Sequence, residues 1–431
     1  MKKLLILSTA VLLAHAGFAQ VQVNSELKGL INQSFGYFPK LKEAENSVTT
    51  ASQKVDIAGI RVPEITADAG YNYVKPKIVL PFPIGPNGEL EDFQFAPVHN
   101  VDASVNASYQ LVDFGRIKMN VEKAKTDLQY AKDNVAYART QLAYQVSNIY
   151  YNLVYFQKAI SIQDSVLNFL NENKRVVESK LKNGDAIKID LLNIQANIDA
   201  EQNTKITLQN QLQKQFNLLS YTTGIQQSSG SAFDFDIAQR DAAAALTQAQ
   251  TQNLEFTLAN DKIKQAESDV NVAKLGDKPT INLNASSGWK NGYVPEVNNI
   301  RFNYAAGISL NIPIYNGGKK NKQVKLAQNI VRQNQLAVET LNNTTHKDIM
   351  QALTDIHTNE QSIEHTYTQI EQTRAAEQIA ASRFLNGAGT NLDLTNASAN
   401  FQRALLTQLQ YQYQLCMAKI ELARLMGYQY W

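Results

Sequence analysis

The chain has 431 residues, 44% hydrophobic and 19% charged, with a formal net charge of +2. A balance this near neutrality offers no basic surface for nucleic acid. The single cysteine, Cys416, excludes an internal disulfide framework.

In chain order, Lys2 and Lys3, the apolar run 4–13 and the small-residue stretch Gly17-Phe18-Ala19 predict a secretory leader over 1–19. The apolar run is too short to span a bilayer. Removing the leader takes both lysines with it and leaves the chain formally neutral. Beyond it, no uninterrupted apolar stretch reaches the roughly eighteen residues of a membrane helix.

A lead-in helix is expected over 20–62 and a first β-hairpin over 63–112. In 64–74, Ile65, Ala67, Ala69, Tyr71 and Tyr73 alternate with polar residues, and in 101–111 Val101, Ala103, Val105, Ala107, Tyr109 and Leu111 do the same. Each segment is close to the ~10 residues of a tilted membrane strand. Between them, 75–100 is a proline-rich loop containing Asn87-Gly88.

Residues 116–183 contain no glycine and no proline, so 113–224 reads as a long helical hairpin turning at Asn183-Gly184. A helix over that run would reach about 100 Å, too long to hide in a globular core. Val121, Ala124, Leu128, Ala131, Val135, Ala138 and Leu142 alternate spacings of three and four. The seam slips by four to Val146 and resumes at Ile149, Leu153, Phe156 and Ile160, a stutter in a coiled-coil pattern.

The plan then repeats. A connection over 225–250 leads to a second lead-in helix (251–278), a second β-hairpin (279–314), a second long helical hairpin (315–427) and a tail (428–431). Strand-like alternation recurs at 281–289 and 302–312, and 319–386 again lacks glycine and proline. At one constant offset, Gly115 matches Gly318, Ala124 matches Ala327, Asn183-Gly184 matches Asn386-Gly387, and Asp190, Leu191, Asn193 match Asp393, Leu394, Asn396. Two copies of one unit are therefore expected in pseudo-symmetric positions. Four strands cannot span lipid as an open sheet, because every backbone group must be paired there. Single-chain barrels begin at about eight strands, so several chains must associate.

These residues carry a resemblance to the TolC-like outer membrane efflux proteins over essentially the whole chain after the leader. The junctions Leu111-Val-Asp-Phe-Gly-Arg116 and Ile312-Pro-Ile-Tyr-Asn-Gly-Gly-Lys319 resemble the family's Pro-Leu-Phe-Asp-Gly-Gly-Arg strand-to-helix turn. The tips running from Asn183-Gly184 to Asp190-Leu191 and from Asn386-Gly387 to Asp393-Leu394 are similar to its Gly-then-Asp-Val-Leu tips. The runs Ala51, Val55, Ala58, Pro63 and Ala266, Val270, Ala273, Pro279 look like its approach to the first and third strands.

The resemblance implies a mainly α fold with membrane β: long antiparallel coiled-coil helices forming a periplasmic α-barrel. Four strands per chain would contribute to a trimeric twelve-stranded outer-membrane β-barrel. It implies a homotrimer in outer-membrane lipid, a passive conduit for efflux or type I secretion, and docking on a periplasmic adaptor coupled to an inner-membrane transporter. The docking tips would be Asn183, Gly184, Asp185, Asn386, Gly387 and Ala388. The strand–helix junctions would be Gly115, Arg116, Gly317, Gly318 and Lys319.

The chain departs from the family pattern at Phe114, where the family has glycine, and at Gln110, which matches Pro313. At the second tip Asn396 replaces the second aspartate of a double acidic gate. If Asp393 lines the tunnel, three copies make one acidic ring, which favours cations. The other reading is that Asp393, like Asp190, caps a helix N-terminus.

His357, Glu360 and Glu364 share a helix face near His346 and His365, but without metal-site spacing they read as a solvated face. Gly387-x-Gly389 lacks the third glycine of a dinucleotide loop. Tyr428, Tyr430 and Trp431 are expected to pack after a helix. No catalytic, cofactor or metal residue, and no cofactor, is assigned. A stand-alone outer-membrane pore and a soluble periplasmic coiled-coil scaffold are the alternatives.

Overall fold

The computed structural model describes residues 23–431 except 84–87, 89, 229, 231 and 239. The expected leader and the loop residues Pro86 and Asn87 lie outside the described residues. The chain forms two compact units. One comprises Ser47–Ala131 and Asn260–Leu336; the other comprises the segment up to Asn46, Lys132–Ala259 and Ala337–Trp431.

The first unit carries the sheet. Strands β1 (Glu64–Tyr73), β4 (His99–Val112), β5 (Thr280–Lys290) and β6 (Arg301–Asn311) lie in the order β1-β4-β5-β6, all antiparallel, with β1 and β6 at open edges. The registers put like residues side by side. Ile65, Ala107, Ala285 and Ala306 form one cross-strand row, and Ala69, Ala103, Trp289 and Phe302 another. The opposite face is polar. There Asn106 donates to Asp68 at 2.8 Å, Ser108 to Asn284 at 3.1 Å, and Asn284 to Ser309 at 3.0 Å. Gly70 keeps this face open, since a Cβ there would meet the Asp102 carboxylate at 2.6 Å. The described part of the proline-rich segment 75–100 is not all loop. It holds a second hairpin of β2 (Val79–Pro83) and β3 (Leu90–Gln94).

The long helices form as the breaker-free runs require: α3 is Arg116–Asn183, α4 Lys188–Thr223, α7 Lys319–Leu385 and α8 Asn391–Met426. Where one lead-in helix is expected over 20–62, the structure has two, α1 (Ser25–Tyr37) and α2 (Pro39–Ala58). Phe38 between them is extended, with φ −67° and ψ 116°, because the residue before a proline is driven out of the helical region. Pro39 then starts α2, a position that needs no N–H. The Ala-rich part of the 225–250 connection is likewise a helix, α5 (Ala242–Gln252), capped by Asp241. It breaks at Asn253, whose side chain accepts from Glu255 N at 2.8 Å and so caps α6 (Leu254–Lys274). The second lead-in helix thus runs 254–274 rather than 251–278.

The core of the second unit gathers α1, the middle of α3, α5 and the end of α8. Leu27, Ile31, Val146, Tyr150, Tyr151, Leu153, Ile420 and Met426 are fully buried. The seam read from the sequence enters this core at Leu142, Val146, Ile149 and Leu153. The connection after Gly224 is strapped across it. Phe235 and Ile237 are buried, Tyr151 donates to Asp234 at 2.9 Å, and Lys419 pairs with Asp236 at 2.7 Å. The terminal aromatics pack as expected: Tyr430 stacks edge-on to Phe235 at 5.2 Å, and Trp431 to Phe35 at 5.9 Å.

Candidate gate, tips and junctions

Both helical tips close by the same backbone device. Gly184, at φ 81°, and Gly387, at φ 74°, occupy the left-handed region. Asp185 N then donates to Lys180 O, and Ala388 N to Arg383 O, each at 2.8 Å. These bonds satisfy the last carbonyls of α3 and α7. The predicted tip residues Asn183, Gly184, Asp185, Asn386, Gly387 and Ala388 are all exposed.

The two carboxylates differ. Asp393 sits in a complete capping box: its N–H donates to Thr390 Oγ1 at 3.1 Å, and its Oδ2 accepts from Thr390 N at 3.1 Å and from Thr390 Oγ1 at 2.7 Å. The Thr390 bonds, side chain then backbone, hold the Asp393 carboxyl below its ordinary value against slight desolvation, with help from Arg383. Asp190 has half of this. It accepts from Ile187 N at 3.4 Å, and an isoleucine side chain can return nothing. The two sites therefore do not fit capping equally well, although their sequence positions match. Asp393 and Asn396 are exposed one turn apart on α8.

The two tips meet inside one chain. Val177, Ile194, Phe384 and Leu394 form a small buried cluster drawn from α3, α4, α7 and α8. Asn173 donates to Asn391 at 3.0 Å, both only 5% exposed. Lys180 donates to Phe384 O at 2.6 Å and lies 4.7 Å from the centre of the Phe384 ring. It brings a cation to the C-terminal end of α7, where the helix dipole favours one. Further along, Gln163 donates to Glu201 at 2.6 Å, and Gln402 donates to Gln163 at 3.3 Å. Tyr413 donates to Asn152 at 3.1 Å. The first of these rungs ties α3 to α4, and the others tie α3 to α8 in antiparallel order. None of Lys180, Asn173, Asn391 and Thr390 is marked by local periodicity, and sequence reasoning missed all four; the Thr390-x-x-Asp393 spacing is the one local signal that could have found Thr390.

The junctions show how a strand becomes a helix. The ladder slips between Gln110 and Val112. Asp113 then accepts from Gly115 N at 3.0 Å and from Ile117 N at 2.5 Å, capping α3. Burial opposes its charge, but those two N–H groups and Arg61 hold its pKa below the ordinary value. Phe114 takes φ 50° where its counterpart Gly317 has φ 63°. Arg116 donates to Leu275 O at 3.3 Å and Lys278 O at 3.2 Å, fastening the start of α3 to the turn before β5. At the second junction Gly318 has φ 74°, and Lys319 N donates to Asn316 O at 3.2 Å. Neighbouring Lys320 pairs with Asp277 at 3.0 Å. Of the helix face with three histidines, Glu360 lies 4.0 Å from Lys419 Nζ.

Long antiparallel helices with polar rungs, carried on a chain whose sheet is apolar on one face and open at both edges, define a membrane channel subunit. Comparison with known proteins agrees. The model of the outer membrane efflux protein family matches residues 30–224 and 239–428. The outer membrane efflux protein BepC of Brucella suis biovar 1 (strain 1330) is 22% identical over 382 residues, covering 86% of this chain and 81% of that one. Among solved structures, a membrane protein from Pseudomonas aeruginosa matches with a TM-score of 0.77 at 18% identity, covering 95% of this chain and 91% of its own. The outer membrane protein VceC of Vibrio cholerae matches at 0.74 and 18% identity, covering 94% and 96%.

The chain belongs to the outer membrane efflux protein family. As a member it is an outer-membrane channel of a tripartite export system that extends into the periplasm. It acts as a homotrimer with a periplasmic adaptor and an inner-membrane transporter. The family is made up of channel proteins, not enzymes.

Proposed function

We propose that three copies close into one conduit by pairing β6 of each copy with β1 of the next, giving a twelve-stranded barrel. The observation that carries this is the sheet itself: among the described residues both edges are unpaired, and its apolar face leaves Tyr304 81% and Ile308 71% exposed. In water such a surface is costly, whereas in lipid it is the stable choice. Closure in lipid also pairs every edge N–H and C=O. The helices offer the same head-to-tail logic, with exposed Ile206 and Leu218 on α4 and exposed Met350 and Ile379 on α7.

In this reading 63–112 and 279–314 build the barrel, 113–224 and 315–427 build the periplasmic wall, and 225–250 is an equatorial strap. Gly115, Arg116, Gly317, Gly318 and Lys319 turn strand into helix. The tips at 183–185 and 386–388 dock on the adaptor, supported by exposed Ile187, Ile189, Leu192, Leu385 and Leu392 beside them. Asp393 both caps α8 and supplies one acidic ring at the tunnel end, with Asn396 and Asp190 nearby as uncharged and outlying members. The protein works as a passive conduit without catalytic chemistry. Planar-bilayer conductance tests the gate: Asp393→Asn should reduce cation preference while leaving the trimer intact. Unchanged selectivity would leave Asp393 as a cap alone.

A further inference from the structure

The β2–β3 hairpin carries an aromatic face that is left largely open among the described residues. Ladder pairing puts Leu80 opposite Phe93, so Leu80, Phe82, Phe93 and Phe95 share one face, with Ile78 beside them. The rings touch one another, Phe93 to Phe95 at 4.9 Å and Phe82 to each at 6.3 Å. Even so, Leu80 stays 53% exposed and Phe82 49%. The opposite face is anchored at its base. Gln94, of the other parity, exchanges two amide hydrogen bonds of 3.3 Å with Asn298 in the β5–β6 loop of the same chain. Pro97, just past β3, lies against Gly292 of that loop, where a Cβ would meet it at 3.8 Å.

Sheet order fixes what stands on the free side. With strands in the order β1-β4-β5-β6, the β1–β4 loop has its own β5–β6 loop on one flank. When β1 pairs with β6 of the next copy, the other flank is that copy's β5–β6 loop. This loop exposes Tyr293, Val294 and Ile300 beside the polar Glu296, Asn298 and Asn299. We propose that the aromatic face of each β2–β3 hairpin docks on the β5–β6 loop of the neighbouring copy, so that six loops interlock around the barrel's rim. The interface is heterologous and closes with the barrel's own rotation. It removes from water a patch that would otherwise be a liability. The inference rests on the trimeric closure proposed above.

Phe93→Cys and Val294→Cys combined in a Cys416→Ser background test it. In particles shown by native mass to hold three chains, mild oxidation should convert most chains into disulfide-linked dimers and trimers, and neither single variant should do so. Phe93→Cys alone should resist a membrane-impermeant maleimide in the trimer and react once the trimer is dissociated. Trimeric particles that give no interchain product, or only an intrachain one, would overturn the docking while leaving the trimer standing. Rapid labelling of intact trimers would show the face open to water and overturn it as well. Particles that are not trimeric would remove the closure on which the docking depends, and the docking with it.

Discussion

At the scale of single residues, the second tip is tied by two groups that can be tested apart. Thr390→Ala removes the reciprocal half of the capping box and should cost about 1 kcal/mol of local stability. Hydrogen exchange over the first turn of α8 checks this, and no change there would mean that the box is not populated. Lys180→Met keeps the apolar stem but removes the bonds to Phe384 O and Leu385 O. A charged hydrogen bond of this kind is worth about 1.5–3 kcal/mol. Amides around the α7 terminus should then exchange roughly tenfold faster or more, while the α3 tip retains its own closure. Phe114 runs the other way. Its φ of 50° costs a non-glycine residue about 1–2 kcal/mol, so Phe114→Gly should stabilise the junction, read as slower thermal dissociation. Asp113 and Asp393 both have lowered pKa values in the folded chain. A depressed carboxylate stabilises above its unfolded pKa, here near 3.8. That contribution fades as pH falls through the lower folded value, so both caps should persist at pH 5 and weaken only in strong acid.

At the scale of elements, two glycines with similar backbone angles should respond differently. Gly184 has open space around it, so Gly184→Ala costs only the left-handed penalty, about 1 kcal/mol. At Gly427 a Cβ would lie 2.5 Å from Asn253 N and from Gln252 C. Backbone cannot yield as a side chain can, so Gly427→Ala should separate α8 from the α5–α6 break and cost on the order of 3 kcal/mol or more. Equal melting shifts for the two variants would contradict that packing. The elements also show where sequence was legible. Breaker-free runs marked α3 and α7 almost to the residue, and period-two alternation marked β1, β4, β5 and β6, because helix continuity and lipid-facing faces are local constraints. The breaks at Phe38 and Asn253 were missed. Pro39 signalled the first; the second rests on an asparagine that caps α6 while its amide donates to Leu425 O at 3.0 Å. The β2–β3 hairpin was hidden because prolines on a two-stranded edge remove no ladder bond that matters. The contacts of Lys180 and Asn173 join residues more than two hundred positions apart, which no local period encodes.

At the scale of the molecule, duplication explains the design. Each copy supplies a broken lead-in helix, two strands and a long hairpin, and each ends in a left-handed glycine, Gly224 or Gly427. Differences between the copies fall where function can use them: a longer outer loop with its own hairpin in the first, and a complete capping box with an exposed carboxylate in the second. Neither copy closes its own sheet, so the folded chain is half an answer until it meets others like itself.

The most direct measurement is the native mass of the protein, taken after asking what releases it from membranes. The expected result is release by detergent alone, as particles holding three chains. A monomer or dimer set free by salt would contradict the barrel, and with it the conduit.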